Sequence, residues 1–159
     1  MYTCVIDRFS LVQWRTYCSA FSAMSVYQAG LYGQLHSNSP FRSCSRVAVL
    51  EGTAVRALAQ LRIKKIPFLN VGAAEVDWGP IWHYDQEAME DEVLGLLLDT
   101  LKEEYCLKQK LELRLRPRST LSPDRDAKLE DLFKSHGFQK NTAKKQPMLQ
   151  LGLRLRLKI

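Results

Sequence analysis

The segment that most constrains the fold is the stretch 86–106, where apolar side chains recur at helical spacing. Its first turns are acidic and its end is basic, which is the charge order that the helix dipole favours. Alternating segments, 71–78 and 111–117, lie on either side of this helix. Because a helix between two strands of one sheet requires a crossover connection, we predict that these two strands are parallel.

The rest of the chain predicts a mixed α/β order. Ser10 and Gln13 have the spacing of a capping box and predict the start of a helix, and Gly137 is placed to end the last helix. The segment 54–66 alternates apolar and polar residues and predicts a strand antiparallel to the one before it. The predicted helices are 10–21, 27–35, 86–106 and 122–136, and the predicted strands are 46–50, 54–66, 71–78, 111–117 and 149–159.

Length and composition favour an ordinary globular protein. A chain of 159 residues is typical of one domain, here predicted to span 1–159, and it is long enough to form a core without metal or disulfide cross-links. No apolar run approaches the roughly 20 residues of a membrane span. The first residues show no basic leader followed by an apolar stretch, so we expect a cytoplasmic location. The four cysteines and three histidines show no ligand spacing, so no metal site is predicted.

The charge is unevenly distributed along the chain. Residues 1–101 carry 8 Lys and Arg against 10 Asp and Glu, a net charge of −2, whereas residues 102–159 carry 15 against 7, a net charge of +8. A basic C-terminal third fits a polyanion such as tRNA, a phosphorylated substrate or an anionic membrane surface. A solvated basic face without a partner is the alternative.

Several short motifs occur in an order that indicates a family. They are Tyr27-Gln28, Ala59-Gln60-Leu61-Arg62, Ile66-Pro67, the segment 72–82, Leu113-Arg114-Leu115-Arg116-Pro117 and Gly137-Phe138. In this order, over residues 5–150, they resemble the first lobe of FemAB-like proteins of the GNAT superfamily, which include the lipid II:glycine glycyltransferases. The resemblance implies a GNAT-like acyl-CoA N-acyltransferase fold, with a mixed central sheet flanked by helices.

The resemblance also implies acyl or aminoacyl transfer to an amine in peptidoglycan or exopolysaccharide synthesis. The implied partners are an aminoacyl-tRNA donor and a cell-wall or glycan precursor. Acyl-CoA-using relatives carry a glycine-rich pyrophosphate loop, and Gly79-Pro80 stands in its place here, so we expect no coenzyme A site. FemAB enzymes have two lobes, so this lobe is expected to need a second one, from a homodimer or in trans.

Glu75 and Asp77 are the candidate catalytic residues. They lie two apart on one predicted strand, so their side chains point to the same face about 7 Å apart. Either carboxylate would accept a proton from the attacking amine. The alternative interpretation is a strand face that is exposed to water or paired with Arg62 or Lys64.

The candidate substrate-binding residues surround the end of the same strand. Trp78 and Trp82 flank the turn Gly79-Pro80 and would form the wall of a groove, or pack in the core. Gln60, Arg62, Trp78, Gly79, Pro80, Trp82 and Arg116 form the predicted set. Arg116, which alternates with Arg114 and Arg118, would bind a phosphate or protect an exposed strand. His83 is the histidine best placed for acid–base chemistry.

Two other functions remain open from the sequence. A non-catalytic module would hold an acceptor or pair with another chain. A basic tRNA-binding or other RNA-binding protein would bind through residues such as Arg114, Arg116, Lys144 and Arg154, with strong salt dependence.

Overall fold

The computed structural model describes residues 1–22, 24–37, 39–69, 71–82, 91–118 and 123–140, and the backbone of 153–154. Seven strands in these ranges form one sheet with the order β1-β2-β3-β4-β6-β7, and β5 pairs with β3. The strands are β1 Tyr2–Ile6, β2 Arg42–Glu51, β3 Ala54–Lys65, β4 Gly72–Asp77, β5 Ile81–Trp82, β6 Glu112–Arg116 and β7 Leu153–Arg154. The predicted parallel pairing of β4 with β6 is confirmed, and the other pairs are antiparallel.

Four α-helices flank this sheet in the described ranges. They are α1 Leu11–Ser19, α2 Gly30–Leu35, α3 Asp91–Leu101 and α4 Pro123–Ser135, with a 3-10 turn at Val26–Gln28 and a π-helical extension of α3 at Lys102–Lys108. The predicted capping box begins α1, because Ser10 Oγ accepts from the Gln13 N–H and the Gln13 side chain accepts from the Ser10 N–H. Gly137 has a φ of +87°, as a helix-ending glycine requires.

The two faces of the sheet bury two hydrophobic clusters. On one face, α3 and α4 pack residues such as Leu97 and Phe133 against Ala59 and Leu61 of β3. On the other face, Trp14 of α1 packs against Leu58 and Ile81. Both predictions of an apolar helix stripe, on α1 and on α3, are therefore confirmed.

Several boundaries differ from the sequence predictions. The chain begins with β1, which pairs with β2, and not with a helix; a five-residue strand in this position has too little alternation to be recognised. Strand β2 starts at Arg42, inside the segment predicted as a loop. The predicted helix 86–106 ends in a π-helical turn, while its residues 86–90 lie outside the described ranges.

A β-bulge in β3 reverses one predicted side-chain direction. Val49 pairs with Ala57 and Leu50 with Val55, so β3 contains one residue more than β2 at this point, Arg56. The extra residue turns Val55 to the opposite face from Ala57, and Val55 packs in the cluster around Trp14. The simple alternation predicted for 54–66 placed the side chains of Val55 and Ala57 on the same face of the sheet.

A second irregularity interrupts β4 and shapes its carboxyl end. Arg62 of β3 pairs with Glu75, whereas Leu58, which lies earlier in β3, pairs with Ile81, so the register shifts by two residues between these pairs. Trp78 has a φ of +50° and the Gly79–Pro80 peptide bond is cis. Residues 78–80, called the β4 bulge below, lie between the end of β4 and the start of β5.

Within the described ranges, no helix has both the length and the apolar character that a bilayer crossing requires. The predicted final strand 149–159 is described at Leu153–Arg154, which pairs with β6. The rest of that segment and the candidate residue His83 lie outside the described residues.

Candidate functional site

Alternating residues of three neighbouring strands form a charged surface on one face of the sheet. The register places Arg62 opposite Glu75 and places Arg114 and Arg116 opposite Glu75 and Asp77. Side chains two apart on a strand share a face, so the strands present their charges together. This charged face consists of Arg62 and Lys64 from β3, Glu75 and Asp77 from β4, and Glu112, Arg114 and Arg116 from β6.

Both predicted catalytic carboxylates lie at the centre of this charged face. Glu75 Oε1 is 3.1 Å from Arg114 Nη1, and Glu75 Oε2 is 3.3 Å from both Arg62 Nη2 and Lys64 Nζ. Asp77 Oδ1 accepts from Arg116 Nη1 at 2.5 Å, and Asp77 Oδ2 pairs with Arg62. Arg62 therefore bridges the two carboxylates, and the pairing considered as an alternative from the sequence is present for both.

Burial and charge act in opposite directions on Glu75. It is 5% exposed, and this burial alone would raise its pKa. The charges of Lys64 and Arg62 outweigh burial, and the pKa of Glu75 is lowered. Glu75 is therefore ionised at neutral pH, with its oxygens engaged by cations, and its most direct effect is to hold the guanidinium groups in place.

The charged face keeps an excess of positive charge. Arg114 is shared between Glu75 and Glu112, so four cations face three carboxylates, which leaves one positive charge. Arg62 Nε is buried and has no hydrogen-bond acceptor among the described residues. Arg114 and Arg116 remain about one-third exposed, so solvent and ligands reach them.

Aromatic side chains border the charged face next to the β4 bulge. Trp78 is 44% exposed, and its ring stacks on Tyr27 with centroids 6.3 Å apart and an angle of 11° between planes. Tyr27 packs edge-on against Tyr32, and the Arg62 guanidinium lies 6.0 Å from the Tyr32 ring. The geometry thus places Tyr32 beside Arg62 and Trp78 against Tyr27, so an aromatic wall borders the charged face. The role of Trp78 in substrate binding stays a prediction.

Gln60 lies on the same face as Arg62 but below the 3-10 turn and α2. It is 2% exposed. Its Nε2 donates to the carbonyl oxygens of Tyr27 and Ala29, and its Oε1 accepts from Arg46 Nε. The hydrogen-bonding capacity of this amide is used within the fold, so the predicted contact of Gln60 with a substrate would require breaking these bonds.

Gln28 completes this buried network and was not among the predicted site residues. It is fully buried; its Oε1 accepts from the Gln60 N–H at 2.6 Å, and its Nε2 donates to the Asp77 carbonyl oxygen at 2.8 Å. The Tyr27-Gln28 pair was the one sequence signal for it.

The β4 bulge lies where β4 and β6 end side by side. The Gly79 N–H donates to the Arg116 carbonyl oxygen at 3.3 Å, and Pro80 is buried. Trp82 is 3% exposed and belongs to the core cluster on the α3 side of the sheet. The structure therefore brings together Arg62, Glu75, Asp77, Trp78 and Arg116 with the turn, and it places Trp82 in the core, as the alternative interpretation held.

Metal chemistry has no obvious site in the described ranges. No group of three or more His, Cys, Asp or Glu side chains lies close enough together there to hold a metal ion. The cysteines that the structure describes are free thiols. Burial raises the pKa of Cys18 and of Cys44 to about 11, so neither is a ready nucleophile.

Several solved structures have a similar fold. FemX is 20% identical, with a TM-score of 0.71 over 91% of this chain and 34% of the FemX chain. A tandem GNAT protein from the clavulanic acid biosynthesis pathway is 15% identical, with a TM-score of 0.55 over 89% of this chain and 45% of the other. ElaA from Escherichia coli is 13% identical, with a TM-score of 0.56 over 98% of this chain and all of the other.

These similarities establish the fold. The chain has the GNAT fold, with a mixed sheet flanked by helices, and it resembles FemX, as the sequence motifs predicted. It spans about a third of the FemX chain and less than half of the tandem GNAT chain. No protein-family model and no curated protein sequence matches the chain.

Proposed function

We propose that this chain is an acyltransferase lobe that transfers an acyl or aminoacyl group to an amine at the carboxyl ends of β4 and β6. One observation carries the proposal. Asp77 and Arg116 are the last residues of two neighbouring parallel strands, and the β4 bulge, which begins with Trp78, follows Asp77 directly. In open α/β sheets, ligands bind at the carboxyl ends of parallel strands. The similarity of the fold to FemX and to GNAT acetyltransferases supports the reaction class.

The charged face would supply the electrostatic part of the chemistry. Acyl transfer places negative charge on the carbonyl oxygen in the transition state, so preorganised donors near that oxygen lower the barrier. Arg116 and Arg62 are such donors, because Glu75 and Asp77 hold both guanidiniums in fixed positions. The carboxylate of Asp77, which both guanidinium groups contact, also reduces the electrostatic repulsion between Arg62 and Arg116.

Asp77 is the better of the two candidate proton acceptors. It is the last residue of β4, precedes Trp78 directly and contacts two cations, Arg62 and Arg116. Glu75 lies two residues further from the end of β4 and contacts four cations, Arg62, Lys64, Arg114 and Arg116. An amine positioned against the Trp78 ring would meet the Asp77 carboxylate first. An aminoacyl ester is a reactive donor, so positioning would account for much of the rate enhancement.

The finer proposal is that the donor is aminoacyl-tRNA and the acceptor a peptidoglycan or glycan precursor. It is supported by the similarity to FemX and by the basic balance of residues 102–159. Because the chain spans about a third of FemX, we propose that a second lobe, from another copy or another chain, completes the acceptor site. Coenzyme A is not part of this proposal.

A transfer assay tests the proposal. The chain is incubated with labelled aminoacyl-tRNA and an amine-bearing muropeptide, in parallel with acetyl-CoA as donor. We expect labelled product from aminoacyl-tRNA and a decrease of at least about tenfold for Asp77→Asn and Arg116→Ala. Lys128→Ala, at an exposed position of α4, is the control and is expected to keep full activity.

The outcomes separate the parts of the proposal. Full activity of Asp77→Asn would remove Asp77 as the proton acceptor. Product from acetyl-CoA alone would replace the donor while keeping acyl transfer. Absence of product from both donors, at protein concentrations where copies associate, would exclude catalysis by this chain alone or as a homo-oligomer and would favour a binding module.

A further inference from the structure

The end of the sheet opposite the β4 bulge carries an exposed apolar tip. The tip is the turn between β3 and β4 and the residue beside it: Phe41, Ile66, Phe68, Leu69 and Val71. Phe68 is fully exposed and Leu69 is 60% exposed. Phe41 belongs to the tip because its carbonyl oxygen accepts from the Lys65 N–H at 2.9 Å. Five large apolar residues clustered at one turn are unusual on a water-exposed surface.

The stability of the fold does not explain why position 68 is a phenylalanine. Its φ is +63°, in the left-handed region that disfavours bulky side chains and that a glycine or asparagine occupies more easily. The ring gains no burial in return. A phenylalanine in this position is therefore better explained by contact with something outside the chain.

Basic side chains surround the apolar tip. Arg42 pairs in the register with Lys64, and Lys65 pairs with Gly72. Lys110 precedes Leu111, which lies against Gly72 at the start of β4. In the described part of the chain, Arg42, Lys65 and Lys110 form no ion pair. The tip thus combines apolar side chains at its end with unneutralised cations behind them.

We propose that the apolar tip docks this protein on an anionic phospholipid surface. Apolar side chains would enter the acyl–headgroup boundary, while Arg42, Lys65 and Lys110 would contact the phosphates. The charge pattern favours a membrane over a second copy of the chain, because tip-to-tip association would bring these like charges together. The inference does not depend on the proposed transferase activity.

Vesicle co-sedimentation tests this surface. The full chain is mixed with vesicles of phosphatidylglycerol and phosphatidylcholine, and separately with phosphatidylcholine alone. We expect binding to the mixed vesicles that weakens as salt is added. Phe68→Ser combined with Leu69→Ser is expected to weaken binding by about tenfold or more, and Lys65→Ala by about fivefold.

Matched controls keep the result specific. Leu31→Ser changes an apolar side chain of α2 that is 70% exposed, and Lys128→Ala removes the same charge as Lys65→Ala from α4; both are expected to bind like the unchanged protein. The substituted side chains are exposed, so each variant is expected to keep its near-ultraviolet circular dichroism.

Three results would overturn the proposal. The first is equal weakening by Lys65→Ala and Lys128→Ala, which would indicate attraction by total charge alone. The second is binding unaffected by the Phe68 and Leu69 substitutions. The third is a dimer seen by light scattering that these substitutions dissociate, without any vesicle binding, which would identify a second copy as the occupant.

Discussion

Gln28 donates a hydrogen bond from its buried side-chain amide to the main-chain carbonyl oxygen of Asp77, over 2.8 Å and 49 residues of sequence. Its Oε1 accepts from the Gln60 N–H at 2.6 Å. A glutamine before α2 thus holds β3 and β4 in register beside the charged face. The last residue of β4 is fixed at its main chain by this bond and at its side chain by Arg62 and Arg116.

Replacing Gln28 by alanine is expected to destabilise the fold by about 2–4 kcal/mol, because it leaves a buried N–H and a buried carbonyl unpaired and opens a cavity. Urea unfolding measures the free energy. Gln34→Ala, at an exposed position of α2, is the matched control, expected to change stability by less than about 0.5 kcal/mol. Similar values for the two variants would show that the Gln28 network does not support the sheet.

Glu75 is expected to make the fold sensitive to acid. Its folded-state pKa is lowered from the usual 4.5, so its ion pairs stabilise the protein above that value and are lost as the pH falls through the folded-state pKa. Glu75→Gln is expected to cost about 3 kcal/mol at neutral pH, because the cations around it lose a buried partner, and less at acidic pH.

The comparison for Glu75 is Glu103→Gln, which removes an exposed partner of Lys108 and is expected to cost much less stability than Glu75→Gln, because solvent screens an exposed ion pair. Urea unfolding of both variants across the acidic range measures the difference. A stability cost of Glu75→Gln that stays constant down to the acid-unfolding region would contradict the electrostatic explanation.

Trp78→Ala tests the aromatic wall. If the proposed transferase binds its substrate against this ring, KM is expected to rise about five- to tenfold, which corresponds to roughly 1 kcal/mol of lost contact. Folding stability is expected to change little, because Trp78 is half-exposed. Trp78→Phe is expected to restore most of the affinity. Val12→Ala, at an exposed position of α1, is expected to have no effect. An unchanged KM in Trp78→Ala would exclude the wall from substrate binding.

The capping box of α1 is expected to contribute about 1 kcal/mol. Ser10→Ala removes the acceptor for the Gln13 N–H, and a lost N-cap typically costs this amount. Ser10→Asp retains an acceptor and is expected to recover most of the stability in thermal unfolding. Equal stability of the alanine and aspartate variants would show that the cap is not limiting.

Local patterns determined much of this fold. The apolar stripe of α3, the capping box of α1 and the alternation of β3 each depend on residues within a few positions, so helices and strands follow from spacing alone. The parallel pairing of β4 and β6 also followed, since a helix between them leaves little choice. The shared face of Glu75 and Asp77 is a direct result of strand geometry.

Only the tertiary structure decided which of these residues meet. The bulge at Arg56 turned Val55 to the other face. Trp78 is exposed and Trp82 lies in the core. Both results depend on strand register, which is set by contacts between distant segments. Arg62 came to bridge Glu75 and Asp77, which lie 13 and 15 residues away in the sequence, and Gln28 came to contact Asp77 across 49 residues. The sequence offered Arg62 as an alternative partner of the two carboxylates, but local spacing does not establish such contacts, because they form only once three strands and the turn before α2 have assembled.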